Sequence, residues 1–344
     1  MYSQTMGGSA PAGSGQFVGP NDLTNLNKSA PLVIKGTPYA DYGNYNYSRT
    51  SDGLGCALSI DLGAGNDNIG GLRSIAGDSI DLGAGNDMIR LYPLSGQAIL
   101  SHNLIKLDGG PGIDTLDFGA SGYGEVGATL TLTSRGATNF ENLGGTAVKE
   151  TLQGNSSDNI IFGGGGADTI YGYDGNDTLL GGSILDATMQ GKGDEFNGQD
   201  DNANNILYGG LGNDILATGN GSDTLDGGKG SDRIHSGTGY DVIILRAGDG
   251  GASLSDADII DNSYNKGFTD GQDTFGLADG LSFSDLTIAQ GTGDYSNDTI
   301  ISVTATSEYL AIVQKISASN ITIADMSSTA SGDQTLNGTS GNDT

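Results

Sequence analysis

Cysteine occurs once in the 344 residues, tryptophan never, histidine twice and proline six times. The lone Cys56 cannot close an internal disulfide, so the chain belongs either to a reducing compartment or to an export route that does without disulfides. Basic residues are scarce: 14 Lys and Arg face 42 Asp and Glu, a formal charge of -28. Such a surface cannot neutralise phosphates, which excludes nucleic acid as a partner. No run of eighteen apolar residues is present, so there is no transmembrane helix in the pattern. Met1 to Gln16 (MYSQTMGGSAPAGSGQ) has neither a basic n-region nor an apolar h-region and does not read as a Sec signal. H-E-x-x-H and G-x-S-x-G are missing, and the histidines, His102 and His235, stand far apart. The chain therefore reads as a non-enzyme, with both histidines expected at the solvent-facing surface.

Glycine, by contrast, is abundant at 61 residues, and it is periodic. Asn205 to Ile243 reads NILYGGLGND ILATGNGSD TLDGGKGSD RIHSGTGYD VII, with Asp214, Asp223, Asp232 and Asp241 nine residues apart. Gly212, Gly221, Gly230 and Gly239 precede them by two positions, and Leu216, Leu225, Ile234 and Ile243 follow by two. Nine residues are too few for a helical repeat but suit a short strand and a tight turn. The glycines supply positive φ for the turn, and D-x-U is a strand with its aliphatic residue inward. Two nonapeptides then make one coil of a flattened parallel solenoid, stacking turns eighteen residues apart. Each stack brings together two carboxylates and several glycine carbonyls. A cage of oxygen donors without thiolate or imidazole favours calcium.

The pattern G-G-x-G-x-D-x-U-x in these copies resembles the RTX, or hemolysin-type calcium-binding repeat, family, whose nonapeptides build a parallel β-roll. The resemblance implies an all-β solenoid that binds several calcium ions and leaves the cell through a type I exporter. It also explains the acidity, because a charge of -28 repels itself in a compact fold, and roughly ten divalent ions would each cancel about two charges. Extracellular calcium modules bind in the range of roughly 0.1 to 1 mM. At tenfold excess one such site contributes about 1.4 kcal/mol and eight contribute about 11 kcal/mol, comparable with the stability of a whole domain. The chain is thus expected to be largely unfolded in the cytosol and folded outside.

In chain order, residues 1–52 form a Gly/Ser/Tyr-rich segment, with Tyr39, Tyr42, Tyr45 and Tyr47 close together; it reads equally as an N-terminal cap or as an adhesive, assembly segment. Residues 53–117 are a first array in which Asp67, Asp78, Asp87 and Asp114 are candidate calcium ligands, assisted by carbonyls near Gly65, Gly85 and Gly112. Leu58 stands where an acid is expected, and Ile89, Ala98, Leu107 and Leu116 keep inward positions through a stretch poor in carboxylates. Residues 118–150, with the alternating ATLTLT, are expected to form an inserted strand hairpin.

The second array, 151–248, offers Asp158, Asp168, Asp177, Asp186, Asn205, Asp214, Asp223, Asp232 and Asp241, with carbonyls near Gly166, Gly175, Gly212, Gly221, Gly230 and Gly239; Ile160, Ile170 and Leu179 are read as inward. An irregular insertion ahead of Asn205 carries Asp194, Glu195, Asp200 and Asp201, read as solvated acids rather than as an extra calcium loop. Residues 249–335 contain the runs LTIA, DTIISVTA, EYLAIVQK and ITIADM, expected to form a small antiparallel cap, in which Asp258 and Asp273 stand in D-x-U contexts. QDTFGLADGLSFSDLTI resembles the non-repeat segment that follows RTX arrays in cyanobacterial and other bacterial proteins. Residues 336–344 are a partial repeat with Asp343 as a further ligand, completed either by further sequence or by another subunit in head-to-tail self-association.

The functional expectation is a secreted calcium-binding structural or adhesive protein of the cell surface, assembling as a surface layer or filament, with calcium and cell-surface polysaccharide as partners. Two alternatives stand beside it: a non-catalytic secretion or folding module of a larger toxin or enzyme, and a polysaccharide-modifying β-helix enzyme.

Overall fold

The structure is a computed structural model that describes residues 2–5, 15–16, 32–36, 41–44, 58–73, 77–92, 104–119, 126–182, 203–262, 268–269 and 271–328. It divides into two compact units, Met1–Val148 and Lys149–Thr344. Both are built from short parallel strands, in agreement with an all-β roll. The described residues contain no helix long and apolar enough to cross a membrane.

In the first unit one stack runs through Tyr2–Thr5, Leu32–Lys35, Leu58–Asp61, Ser79–Asp81, Lys106–Asp108 and Ala137–Thr138, each parallel to the next. A second stack runs through Gly15–Gln16, Asp41–Asn44, Asn68–Arg73, Met88–Tyr92, Thr115–Asp117 and Asn142–Gly144. The strands within residues 1–52 are therefore the first rungs of the roll itself. Ala137–Thr138 and Asn142–Gly144 likewise extend the two stacks in parallel, so these two strands add a coil where a hairpin was expected.

In the second unit Glu150–Gln153, Thr169–Asp174, Ile206–Leu211, Thr224–Lys229, Val242–Leu245, Thr274–Leu277 and Met326–Ser328 follow one another in one stack. Ile160–Phe162, Thr178–Leu180, Ile215–Ala217, Arg233–His235, Asp258–Ile260 and Glu308–Val313 form the other. An antiparallel extension, Thr299–Val303 and then Leu286–Gln290, grows from the last of these. ITIADM does not join that extension. It makes the 3-10 turn Ile323–Asp325 and the strand Met326–Ser328, which continues the parallel stack.

The core is a single file of aliphatic side chains per stack, because alternate residues of a strand face opposite ways. Leu152, Ile170, Leu207, Leu225, Ile243 and Phe275 face Ile161, Leu179, Leu216, Ile234, Ile260 and Val313, all fully buried. In the first unit Ile34, Ile60, Ile80 and Leu107, and Ile69, Ile89, Leu116 and Leu143, do the same. Each buried Leu or Ile stabilises by about 1.5–3 kcal/mol, so U in D-x-U is the residue that holds two stacks together. On the outer face Tyr171 and Tyr208, in register, stack with ring centroids 5.0 Å apart.

Candidate metal centre

The chain turns a corner before each D-x-U strand, and there the D of the nonapeptide, one residue ahead of the strand, is buried. Its first oxygen works on the backbone. Asp177 Oδ1 accepts the N–H of Asn159, Asp214 Oδ1 that of Asp177, Asp232 Oδ1 that of Asp214 and Asp258 Oδ1 that of Asp232, at 2.7 to 3.0 Å. On the opposite corner Asp168, Asn205, Asp223, Asp241 and Asp273 accept from Glu150, Asp168, Asn205, Asp223 and Asp241 at 2.7 to 2.9 Å. In the first unit Asp87 accepts from Asp67, Asp114 from Asp87 and Glu141 Oε2 from Asp114. A buried N–H at a strand end has no sheet partner, and the side chain of the next coil supplies one.

The second oxygen is left over. Oδ2 of Asp87, Asp114, Asp177, Asp214, Asp223, Asp232 and Asp241 is buried and makes no hydrogen bond. Burial without a counter-charge raises the carboxyl pKa to about 7 at Asp114, Asp177 and Asp241 and to about 6 at Asp87, Asp214 and Asp223. Asp232 and Asp258, which bury and repel one another, are raised as well.

The glycines are shaped to this carboxylate. A Cβ on Gly227 would run into Asp232 Oδ2, as one on Gly172 or Gly209 would run into the Oδ2 of Asp177 or Asp214. Gly230 has φ 144 and lies on the carbonyl oxygen of Gly212, so a side chain there would strike the coil below. The same approach sets Gly85 on Gly65 O, Gly112 on Gly85 O, Gly212 on Gly175 O and Gly239 on Gly221 O. Gly172 and Gly209 also lie against the carbonyl oxygens of Gly209 and Gly227, so backbone oxygens come near the Oδ2 of Asp177 and of Asp214. Among the described residues no three acidic, histidine or cysteine side chains gather as a metal site. An ion here would take two carboxylates and draw its other oxygens from the backbone, a donor set of hard oxygens that fits calcium.

One corner contact escaped the sequence reading. The residue before the D is often Asn, and its side chain is a second ladder: Asn86 N donates to Asn66 Oδ1, Asn213 N to Asn176 Oδ1 and Ser231 N to Asn213 Oδ1, each at 2.8 to 2.9 Å. The repeated N-D pair in GAGND and GYDGND was the available signal.

Several expected positions move. Asp158 is exposed and belongs to the outer Asn ladder, accepting from Asn176 N at 2.8 Å. Asn159 takes the inner place, nine residues before Asp168, and Ile161 rather than Ile160 faces the core. A slip of one residue exchanges the faces of a strand. Asp258 and Asp273 continue the ladders beyond the glycine repeats, and Asp273 Oδ2 accepts from Thr269 N at 2.6 Å. Asp78 stands in a column with Leu58 and Ile105, and has no acid above or below it. His235 does not point to solvent: its side chain is 13 % exposed and its Nε2 lies 3.7 Å from the buried Asp261, which also receives Arg233. Asp186, Asp343, Ala98, His102, Cys56 and the acids from Asp194 to Asp201 lie outside the described residues.

The model of the RTX calcium-binding nonapeptide repeat, in four copies, matches residues 145–183, 199–234, 208–243, 226–250 and 328–344. No curated protein matches the chain. The matched repeats carry both ladders of the second unit, from Asp168 to Asp241 and from Asp177 to Asp232, whereas Asp67, Asp87 and Asp114 repeat the same geometry outside the matched residues. The matched residues are RTX calcium-binding repeats, which bind calcium at multiple sites, and the parallel strands they lie on form a β-roll.

Proposed function

We propose that this is a secreted structural protein whose roll becomes stable only when calcium enters its corners, with the ladder carboxylates as ligands. The observation that carries this reading is the set of seven buried Oδ2 atoms without a hydrogen bond, aligned coil above coil. Bound calcium supplies the positive charge these corners lack. The chain does the rest: Oδ1 of each ladder acid fixes the neighbouring coil, the glycines bring carbonyls close, and the aliphatic file excludes water. In a calcium-poor cytosol the carboxylates repel and the chain stays open, which suits export; outside, mass action closes it.

On this reading the roll is a scaffold for a surface layer, filament or adhesive structure. Circular dichroism of the full chain tests the folding step. In chelator at pH 7.5 the β signal is expected to be weak, and it should rise cooperatively at calcium of roughly 0.1 to 1 mM while magnesium fails to replace it. An intact β spectrum in chelator would sink the reading. Electron microscopy with and without calcium tests the assembly.

A further inference from the structure

In the first unit Ser59 pairs with Ser79, Ser79 with Lys106 and Leu107 with Ala137, which puts Leu58, Asp78, Ile105 and Arg135 at one corner of successive coils. The other corner of the same coils holds Asp67, Asp87, Asp114 and Glu141, acid upon acid. Asp78 has no such neighbour, since Ile105 is 74 % exposed and Leu58 is apolar. It is nevertheless fully buried, its Oδ1 accepts Leu58 N at 2.9 Å, and its Oδ2 is not among the buried oxygens left without a hydrogen bond, whereas Oδ2 of Asp87 and of Asp114 is.

The cation of this corner is already in the chain. Arg135 is 3 % exposed and sits in the turn Ser134–Gly136 with φ 63, a conformation unusual for a residue with a side chain. The turn is fastened by Leu104 N on Arg135 O at 3.0 Å and Thr131 N on Ser134 Oγ at 2.8 Å. Burial lowers the guanidinium pKa to about 10 and the Asp78 charge opposes that fall, so Arg135 stays charged at neutral pH.

We infer that Arg135 is the resident counter-charge of the Asp78 corner, standing in for a divalent ion, so that this corner closes without calcium while the Asp67–Asp87–Asp114 corner needs it. The inference rests on the calcium reading above. A single guanidinium balances a single carboxylate, whereas a dication beside Asp78 alone would leave one charge uncompensated in a buried site. One edge of the first unit is thereby held before the calcium-dependent corners fill.

Calcium stoichiometry of the full chain, by equilibrium dialysis on wild type, Asp78→Asn and Asp87→Asn, tests this. Asp78→Asn should bind as many ions as wild type, and Asp87→Asn at least one fewer. Loss of an ion in Asp78→Asn overturns the inference and leaves the calcium reading standing. No loss in Asp87→Asn overturns the calcium reading of this unit and the contrast with it. Arg135→Gln guards against misfolding: its Tm should drop by about 10 °C at every calcium concentration that folds the chain, and adding Asp78→Asn should recover at least half of the drop. Additive losses, or a drop that calcium abolishes, overturn the assignment.

Discussion

The backbone N–H of Asp214 donates to Asp232 Oδ1 at 2.8 Å across one full coil, while Asp232 Oδ2 is buried beside it with no hydrogen bond. One side chain thus carries a structural bond and an unmet charge, and two substitutions separate them. Asp232→Asn keeps the acceptor and removes the charge, so in chelator it should be at least as stable as wild type while its folding midpoint in calcium rises about tenfold. Asp232→Ala strands the Asp214 N–H and should lose about 1–3 kcal/mol with or without calcium. Denaturant melts at fixed calcium read both.

Protons and calcium compete for the same oxygens. The ladder carboxyls titrate at about 6 to 7 in the folded chain, above the ordinary carboxyl value of 3.8. A raised folded pKa means that the folded state holds the extra protons, so the stabilisation is present at low pH and is lost as pH rises through 6 to 7. In chelator the β signal should be strong at pH 5 and weak at pH 8. With calcium the order should reverse, because the ion must displace those protons at pH 5.

Gly230 and Gly248 both have positive φ, at 144 and 98, but only Gly230 lies on another coil, against Gly212 O; nothing stands within 4 Å of a Cβ on Gly248. Gly248→Ala should therefore cost only about 1 kcal/mol of backbone strain. Gly230→Ala adds a collision with backbone and should cost more than about 3 kcal/mol. Equal losses in thermal melts would contradict the stacked-carbonyl corner.

Arg246 grips both oxygens of Asp226 at 2.8 and 2.9 Å, Asp249 at 3.1 Å and Asp279 at 3.1 Å. Burial works against its charge, yet the Asp226 and Asp249 contacts raise its pKa overall. Arg246→Ala leaves two mostly buried acids without a partner and should cost about 3–5 kcal/mol; Lys, without the planar fork, should restore only part. Asp279, 59 % exposed, should matter little, with Asp279→Asn within about 1 kcal/mol of wild type in urea unfolding.

The nonapeptide is a local instruction, and its local content was readable without coordinates. Leu216, Leu225, Ile234 and Ile243 are buried as D-x-U demands, because strand alternation and turn chemistry act within nine residues. The step from Asp158 to Asn159 is where that reading slipped, since D-N leaves a one-residue choice that only pairing of Ile161 with Leu179 resolves. Which coil lies on which is decided by tertiary structure. Ladder partners lie 18 residues apart in the regular repeats but 20, 26, 27, 32 and 37 elsewhere. A loop of any length can close onto the stack at small entropic difference, so spacing alone did not bring Arg135 to Asp78, Asp258 to Asp232 or His235 to Asp261. The sequence by itself determined a roll with an acid at each turn; the packing of coils decided which acids meet one another and which meet an arginine.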